Sequence, residues 1–334
     1  MNVNYRYLVL GKTCFHLGFL DHATVLLQTG KSLARASFRC KSSSWFDDHF
    51  SEYNIPFSDV TISRPPTTKP SRSSLTKCET VNQLLAKTKF HLCHRTTAIA
   101  AFDAGFYLEA IRHFSKIIDS FGTPQLFLVE CYLLRALTYR SACRITDSIA
   151  DCNRTLSLDP RCFNALEVRS SIFETIHCYQ DCLHDLECLR LLYIEILRDH
   201  KLFAPVWKPH NVHYNEIPEK INIITAKTEQ LKQKVDNAEM FNVDYYTLMG
   251  LTHGCDQSEL ERAYRLLDLR HNPENATCFI ERCELDEDQN VQSVKDRARA
   301  SAELLYKLIE KGYSRVMNTI MEEAADDKRR KMVL

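Results

Sequence analysis

Two stretches of this 334-residue chain bring together side chains whose types and spacing could do chemistry. In the first, LERAYRLLDLRHNPENA (260–276), an amphipathic helix carrying Arg262, Arg265 and Arg270 runs through His271 into Asn272-Pro273-Glu274. An imidazole, an amide and a carboxylate beside a proline that stops the helix read as a working site, a broken one, or only a helix stop. In the second, HCYQDCLHDLEC (177–188), Cys178 and Cys182 stand four apart and share a helix face, with His184 and Cys188 as further metal-ligand types. The same spacing is that of a core stripe, cysteine buries readily, and the chain has no CxxC pair, so the stripe is the expectation and no metal is assigned. Cys278 and Cys283 have no second pair beside them. There is no glycine-rich phosphate loop, no GxSxG elbow and no HExxH, so neither an enzyme nor a cofactor is expected. ELDEDQN (284–290) lacks the glycine and ligand spacing of a calcium loop and reads as solvated loop.

The elements that must position these residues follow from composition. Hydrophobic residues make up 45% of the chain and charged residues 26%, enough to bury real cores in two or more folded units. Only 8 Gly and 10 Pro are present, which disfavours tight-turned β architecture and favours long helices; the expected class is all-α. Lys plus Arg equals Asp plus Glu at 43 each, so no global field draws the chain to nucleic acid or to an anionic membrane, and neither is expected as a partner. The 14 cysteines are scattered through helical patterns, which suits a reducing compartment. Arg6, Lys12 and His16 interrupt the first apolar run, so it makes neither a signal h-region nor a membrane span. The expected location is cytosol or nucleus. The basic run Lys328 to Lys331 fits a nuclear address or a helix C-terminus that favours cations.

The chain divides at two places. RPPTTKPSRSSLTK (64–77) has almost nothing to bury, and residues 41–90 are expected to be a disordered Ser/Pro-rich linker. Pro205, Pro209 and Pro218 mark a second break, within a connecting segment expected over 201–240. Between them, Arg135 aligns with Arg169, Tyr139 with Phe173, Ile145 with Tyr179, Ser148 with Cys182 and Cys152 with Leu186, always at an offset of 34. Residues 98–118 carry the same layout, with Ala110 at the helix crossing and Phe114 in the core, displaced from strict register by an insert around Gly122-Thr123-Pro124. Residues 7–34 match it too, with Gly11 and Ala23 as small positions. Four helical hairpins are expected: one within 1–40 and about three within 91–200. Apolar residues at Ile217, Ile221, Ile224, Thr228, Leu231 and Val235 predict one further helix, too short for an independent coiled coil and better suited to capping the last hairpin.

The 34-residue period is that of tetratricopeptide repeats, and NVDYYTLMGL (242–251), ERAYRLLDLRHNPENA (261–276) and SAELLYKLIEKGYSRVMNTI (301–320) resemble, in order and wording, the J-domain co-chaperones. Together these features are similar to the tetratricopeptide-repeat DnaJ family, particularly its plant members, over most of residues 91–334. The resemblance implies a tetratricopeptide α-solenoid followed by a J-like helical bundle over 241–334, and partners among heat-shock chaperones or their clients. It also implies an HPD tripeptide that triggers ATP hydrolysis in the chaperone, whereas those three positions here read Asn272, Pro273 and Glu274. His271 is one residue away, a displacement of about 100° around a helix. The family's preceding helix is strongly basic; here Asp256, Glu259, Glu261 and Asp268 oppose Arg262, Arg265 and Arg270, a net of −1, and the steering excess is gone. The inner-face clamp that grips a chaperone's acidic tail in related repeats falls on Arg95, Ile99, Leu134, Asn164 and Val168, of which only Arg95 is charged. That face is left to an apolar or amphipathic segment, to another part of the chain, or to the core. The expected function is a non-catalytic protein-interaction scaffold or regulatory co-chaperone-like protein that does not stimulate chaperone ATPase. The alternatives are a structural adaptor with no chaperone link and a weakly active DnaJ-type co-chaperone.

Overall fold

The computed structural model describes residues 3–43, 80–199, 214–236, 243–285 and 291–333. These residues are almost entirely α-helical, and consecutive helices pack as hairpins. The chain forms two compact units, Met1–Leu92 and Cys93–Leu334. No helix among the described residues is long and apolar enough to cross a membrane.

The first unit holds the hairpin α1 (Val3–His16) and α2 (Leu20–Ser43) and the first half of α3 (Val81–Asp103). Gly11 permits the close approach of α1 to α2, because a Cβ there would stand 2.8 Å from Leu27 Cγ. Phe15, Leu20, Ala23 and Leu27 are buried in the hairpin, and Lys87 Nζ of α3 lies 5.3 Å over the Phe15 ring. The expected linker over 41–90 is therefore too long: α2 runs to Ser43 and α3 begins at Val81. Leu84, Leu85 and Thr88, inside the expected linker, are buried, which gives this low-hydropathy stretch a core to join. Residues 64–77, which prompted the linker reading, lie outside the described residues.

In the second unit, α3 pairs with α4 (Tyr107–Ile118), α5 (Gln125–Ser141) with α6 (Ile145–Leu158), and α7 (Phe163–Thr175) with α8 (Tyr179–Asp199). Each hairpin turns on a left-handed residue, Gly105 (φ 81°), Cys143 (φ 56°) or His177 (φ 60°). The next residue donates its N–H back five positions each time: Phe106 to Ala101, Arg144 to Tyr139, Cys178 to Phe173, all at 2.8–2.9 Å. Inside the hairpins Arg135 donates from Nε to Asp151 Oδ2 (2.6 Å), and Arg169, 34 residues later, does the same to Asp185 (2.8 Å). Ser148 Oγ and Cys182 Sγ donate to the carbonyls of Ala136 and Ser170, another pair of contacts at the same offset. α9 (Ile217–Asp236) packs on α8 through Ile217, Ile224, Thr228 and Leu231, and its Lys227 pairs with Glu174 of α7 at 2.6 Å.

The last helices, α10 (Tyr245–Met249), α11 (Gln257–His271) and α12 (Val291–Val333), pack on one another, with Tyr264 stacked on Tyr313 at 4.4 Å. They share one core with the hairpins, running from Ala136 and Ile149 through Leu186 to Leu260, Leu305 and Val316. α12 lies on α6: Asn153 Nδ2 donates to the Ser301 carbonyl (3.2 Å) and Arg297 Nη2 to the Ser157 carbonyl (2.9 Å). The Asp244 N–H donates to the Ile176 carbonyl at the α7–α8 turn (2.9 Å). Two short strands, β1 (Thr123–Pro124) and β2 (Cys283–Glu284), pair in parallel, and the Gly122 N–H donates to the Arg282 carbonyl (2.8 Å). The expected separation at 241 is thus replaced by a continuous packed body. The insert at Gly122-Thr123-Pro124 that broke the 34-residue register is the strip on which the loop after Asn272-Pro273-Glu274 rests. Glu284, expected in a solvated loop, belongs to that pairing; residues 286–290 lie outside the described residues.

Candidate functional site

The opening stretch is built from its capping outward. Asp256 accepts from the Glu259 N–H (2.7 Å) while Glu259 Oε2 accepts from the Asp256 N–H (3.3 Å), a reciprocal box that fixes where α11 begins. Leu260, Leu267 and His271 are buried, and they fall on one face of α11. At the far end Asn272 leaves the helix at ψ 123°, and its Oδ1 accepts from the Glu274 N–H (2.9 Å) across a 3-10 turn opened by Pro273. The Asn272 side chain is thereby used by its own turn, and Glu274 is exposed.

His271 points the other way. Its side chain is 5% exposed, and Nε2 lies 3.2 Å from Asp147 Oδ1 on α6, off the line of a well-aligned hydrogen bond. Arg270 Nη1 approaches the second oxygen of the same carboxylate at 3.5 Å, and Arg144 Nη2 holds it at 2.7 Å. Burial pushes Asp147 up, but His271, Arg144 and Arg270 together outweigh it and hold the carboxyl down at about 2. Asp147 is therefore an anion at neutral pH with cationic or polarisable donors on three sides. The arrangement fastens the end of α11 to the hairpins and leaves no imidazole facing outward at this terminus. The cleft beside it, of 40 Å³ and lined by Asn153, Arg154, His271, Asn272 and Phe279 among others, has room for a water or two and not for a substrate.

The charged face of α11 is largely committed within the chain. Arg265 pairs with Glu261 (3.3 Å), and Asp268 accepts from the Tyr306 hydroxyl (2.8 Å). Arg262 is exposed. The expected inner-face positions differ in exposure and in partners. Arg95 sits 3.7 Å from Glu130 and over the Phe127 ring, Val168 is buried, Ile99 and Leu134 are half-buried, and Asn164 is exposed. Of the alternatives left for that face, Val168 belongs to the core. Among the later elements, α12 and α10 lie on α6 and α9 on α8. In the cysteine stripe, Cys178 Sγ donates to Asp181 (2.7 Å), Cys182 is buried, and Cys188 Sγ lies 3.8 Å from His184. Among the described residues no group of three or more His, Cys, Asp or Glu is placed to hold a metal. A wider groove of 560 Å³ between the α7–α8 turn, α10 and α12 mixes His177, His253 and Arg315 with Asp244 and Glu322, and this mixed charge selects no ligand class.

Sequence reasoning missed Asp147, and with it the partner of His271. Asp147 looks like an ordinary acid in the first turn of a helix, and only long-range packing shows what it faces. The buried Arg135–Asp151 and Arg169–Asp185 pairs had a readable signal: each arginine is followed 16 residues later by an acid, in both copies of the 34-residue pattern. No protein-family model matches this chain, and no curated protein matches it.

Proposed function

We propose that the chain is a non-catalytic protein-interaction scaffold: an array of tetratricopeptide-like hairpins onto which a divergent J-like segment is fastened. In this reading the J-like segment has lost the trigger that makes a chaperone hydrolyse ATP. One observation carries it: His271, the histidine nearest the tripeptide position, is turned onto Asp147 inside the molecule, and Asn272-Pro273-Glu274 stand where an active relative has His-Pro-Asp. The net charge of −1 over residues 256–271 removes the long-range attraction that would bring this segment to an acidic groove. The test is the ATPase rate of a cytosolic heat-shock chaperone with the purified full chain. The expected rate is basal, and stimulation matching that given by an intact J-domain protein overturns the proposal.

A second reading, an adaptor with no chaperone link, is favoured by the state of the inner face. Its one cation, Arg95, is beside Glu130, and Ile99, Leu134 and Val168 offer an acidic tail no donors. Affinity capture with the full chain from cytosol and nucleus separates the two readings. Recovery of heat-shock chaperones supports the regulatory co-chaperone, and their absence supports the adaptor.

A further inference from the structure

On the second half of α3, His94 Nδ1 faces His113 Nδ1 of α4 at 2.8 Å. The ring centroids are 5.0 Å apart, the separation of two imidazoles meeting nose to nose at that contact. Two ring nitrogens this close and this nearly collinear hold a proton between them, because two bare lone pairs or two N–H groups would repel. The alternative, a shared metal, needs both lone pairs to converge on a point about 2.0–2.1 Å from each nitrogen, and head-to-head rings do not converge. Glu109 decides which ring donates. Its Oε1 lies 3.4 Å from His113 Nε2, so the His113 proton sits on Nε2, its Nδ1 accepts, and His94 donates.

We propose that His94 and His113 share one proton between their facing Nδ1 atoms and form a proton-sensitive fastener between α3 and α4, which loosens when the pair is forced to take its second charge. The first added proton goes to the far nitrogen of His94 and leaves the N–H···N bond intact. The second must go to His113 Nδ1, where it meets the His94 N–H head on. The surroundings add to this refusal. Burial, His113 and Lys116 all hold His94 below the ordinary histidine value. Of the other charges near the pair, Glu109 is shared with Arg112 (3.0 Å), and Arg95 on α3 is turned to Glu130 of α5. Unfolded histidines accept their protons near pH 6.5, so the folded hairpin loses stability as pH falls below that value and regains it above. Arg95 and Ile99 ride on the same half of α3, so acidification frees the inner-face residues of this hairpin first. The inference is independent of whether the chain meets a chaperone.

Nitrogen-detected NMR of the full chain with labelled histidine reads the pair directly. The pair is expected to take up its two protons in separate steps, with the N–H shared between the facing Nδ1 atoms retained through the first. Two independent titrations near pH 6.5 overturn the proposal. Hydrogen exchange gives the mechanical readout: amide protection factors in α3 and α4 fall at least tenfold more between about pH 7.5 and pH 5.5 than those in α7 and α8. His113→Gln, which keeps an acceptor and cannot be charged, flattens that difference. An unchanged difference in His113→Gln and in His94→Gln overturns the proposal. Where a variant fails to fold, the titration of the native pair decides alone.

Discussion

At the scale of single residues, Asp147 does more than any other side chain to set the fate of the opening stretch. It is 11% exposed and faces Arg144, His271 and Arg270, so removing its charge leaves a buried imidazole and two partly exposed guanidinium groups opposite an amide. We expect Asp147→Asn to destabilise the full chain by about 2 kcal/mol, from a carboxyl held near 2 when folded against 3.8 when unfolded. The sign follows from the depressed value: the stabilisation is complete above the unfolded pKa and disappears as pH falls through the folded one. Acid unfolding of the native chain followed by circular dichroism will therefore show a component between about pH 4 and pH 2 that Asp147→Asn lacks. A second residue-scale case is Cys143, held at φ 56° in the α5–α6 turn where a side chain is strained. Cys143→Gly is expected to raise stability by about 1 kcal/mol in chemical unfolding, because the turn already demands the left-handed conformation.

At the scale of elements, the hairpins owe their register to buried ion pairs as well as to apolar packing. Arg135 is 9% exposed and its partner Asp151 is fully buried, so breaking that pair strands a charge in the core. Asp151→Ala alone is expected to cost about 3–5 kcal/mol, and the paired change Arg135→Met with Asp151→Leu to recover most of it, as a double-mutant cycle in urea will show. This is also where sequence reading succeeded and failed. The all-α class was legible, because few glycines and prolines and a helical apolar period leave little alternative. The four hairpins were legible through small residues such as Gly11, Ala23 and Ala110, where close approach is a demand on residue type. The start of α3 was not, since Thr80-Val81-Asn82-Gln83 follows a polar stretch and the burial of Leu84 and Leu85 depends on a hairpin far away in sequence. The stop at Asn272-Pro273-Glu274 was legible from its proline. The inward turn of His271 was not, because a helix shows its own faces in its sequence but not which neighbour will cover them.

At the scale of the whole molecule, the decisive fact is that α10, α11 and α12 share a core with α5 to α8. Ile176, Thr146, Asn153 and Ser157 supply hydrogen-bond partners to Asp244, Leu248, Ser301 and Arg297, and none of these contacts exists in an isolated C-terminal fragment. Such a fragment is expected to be largely unprotected in hydrogen exchange, whereas 93–334 unfolds in a single transition. The same integration bears on the proposed absence of a chaperone trigger. In the proposed co-chaperone reading, Asn272→His with Glu274→Asp supplies the tripeptide, but residues 256–271 keep their net charge of −1, and the end of α11 stays clamped by Asp147. A repaired tripeptide without attraction toward a partner gives an encounter too rare to matter, since steering depends on an excess of one sign. The double variant is therefore expected to raise chaperone ATPase less than twofold, and adding Glu259→Lys, Glu261→Lys and Asp268→Lys is expected to raise it further in a salt-sensitive way. Full stimulation from the tripeptide change alone would show that charge and docking are irrelevant. No stimulation from the five-fold variant would count against the charge account and for the adaptor reading.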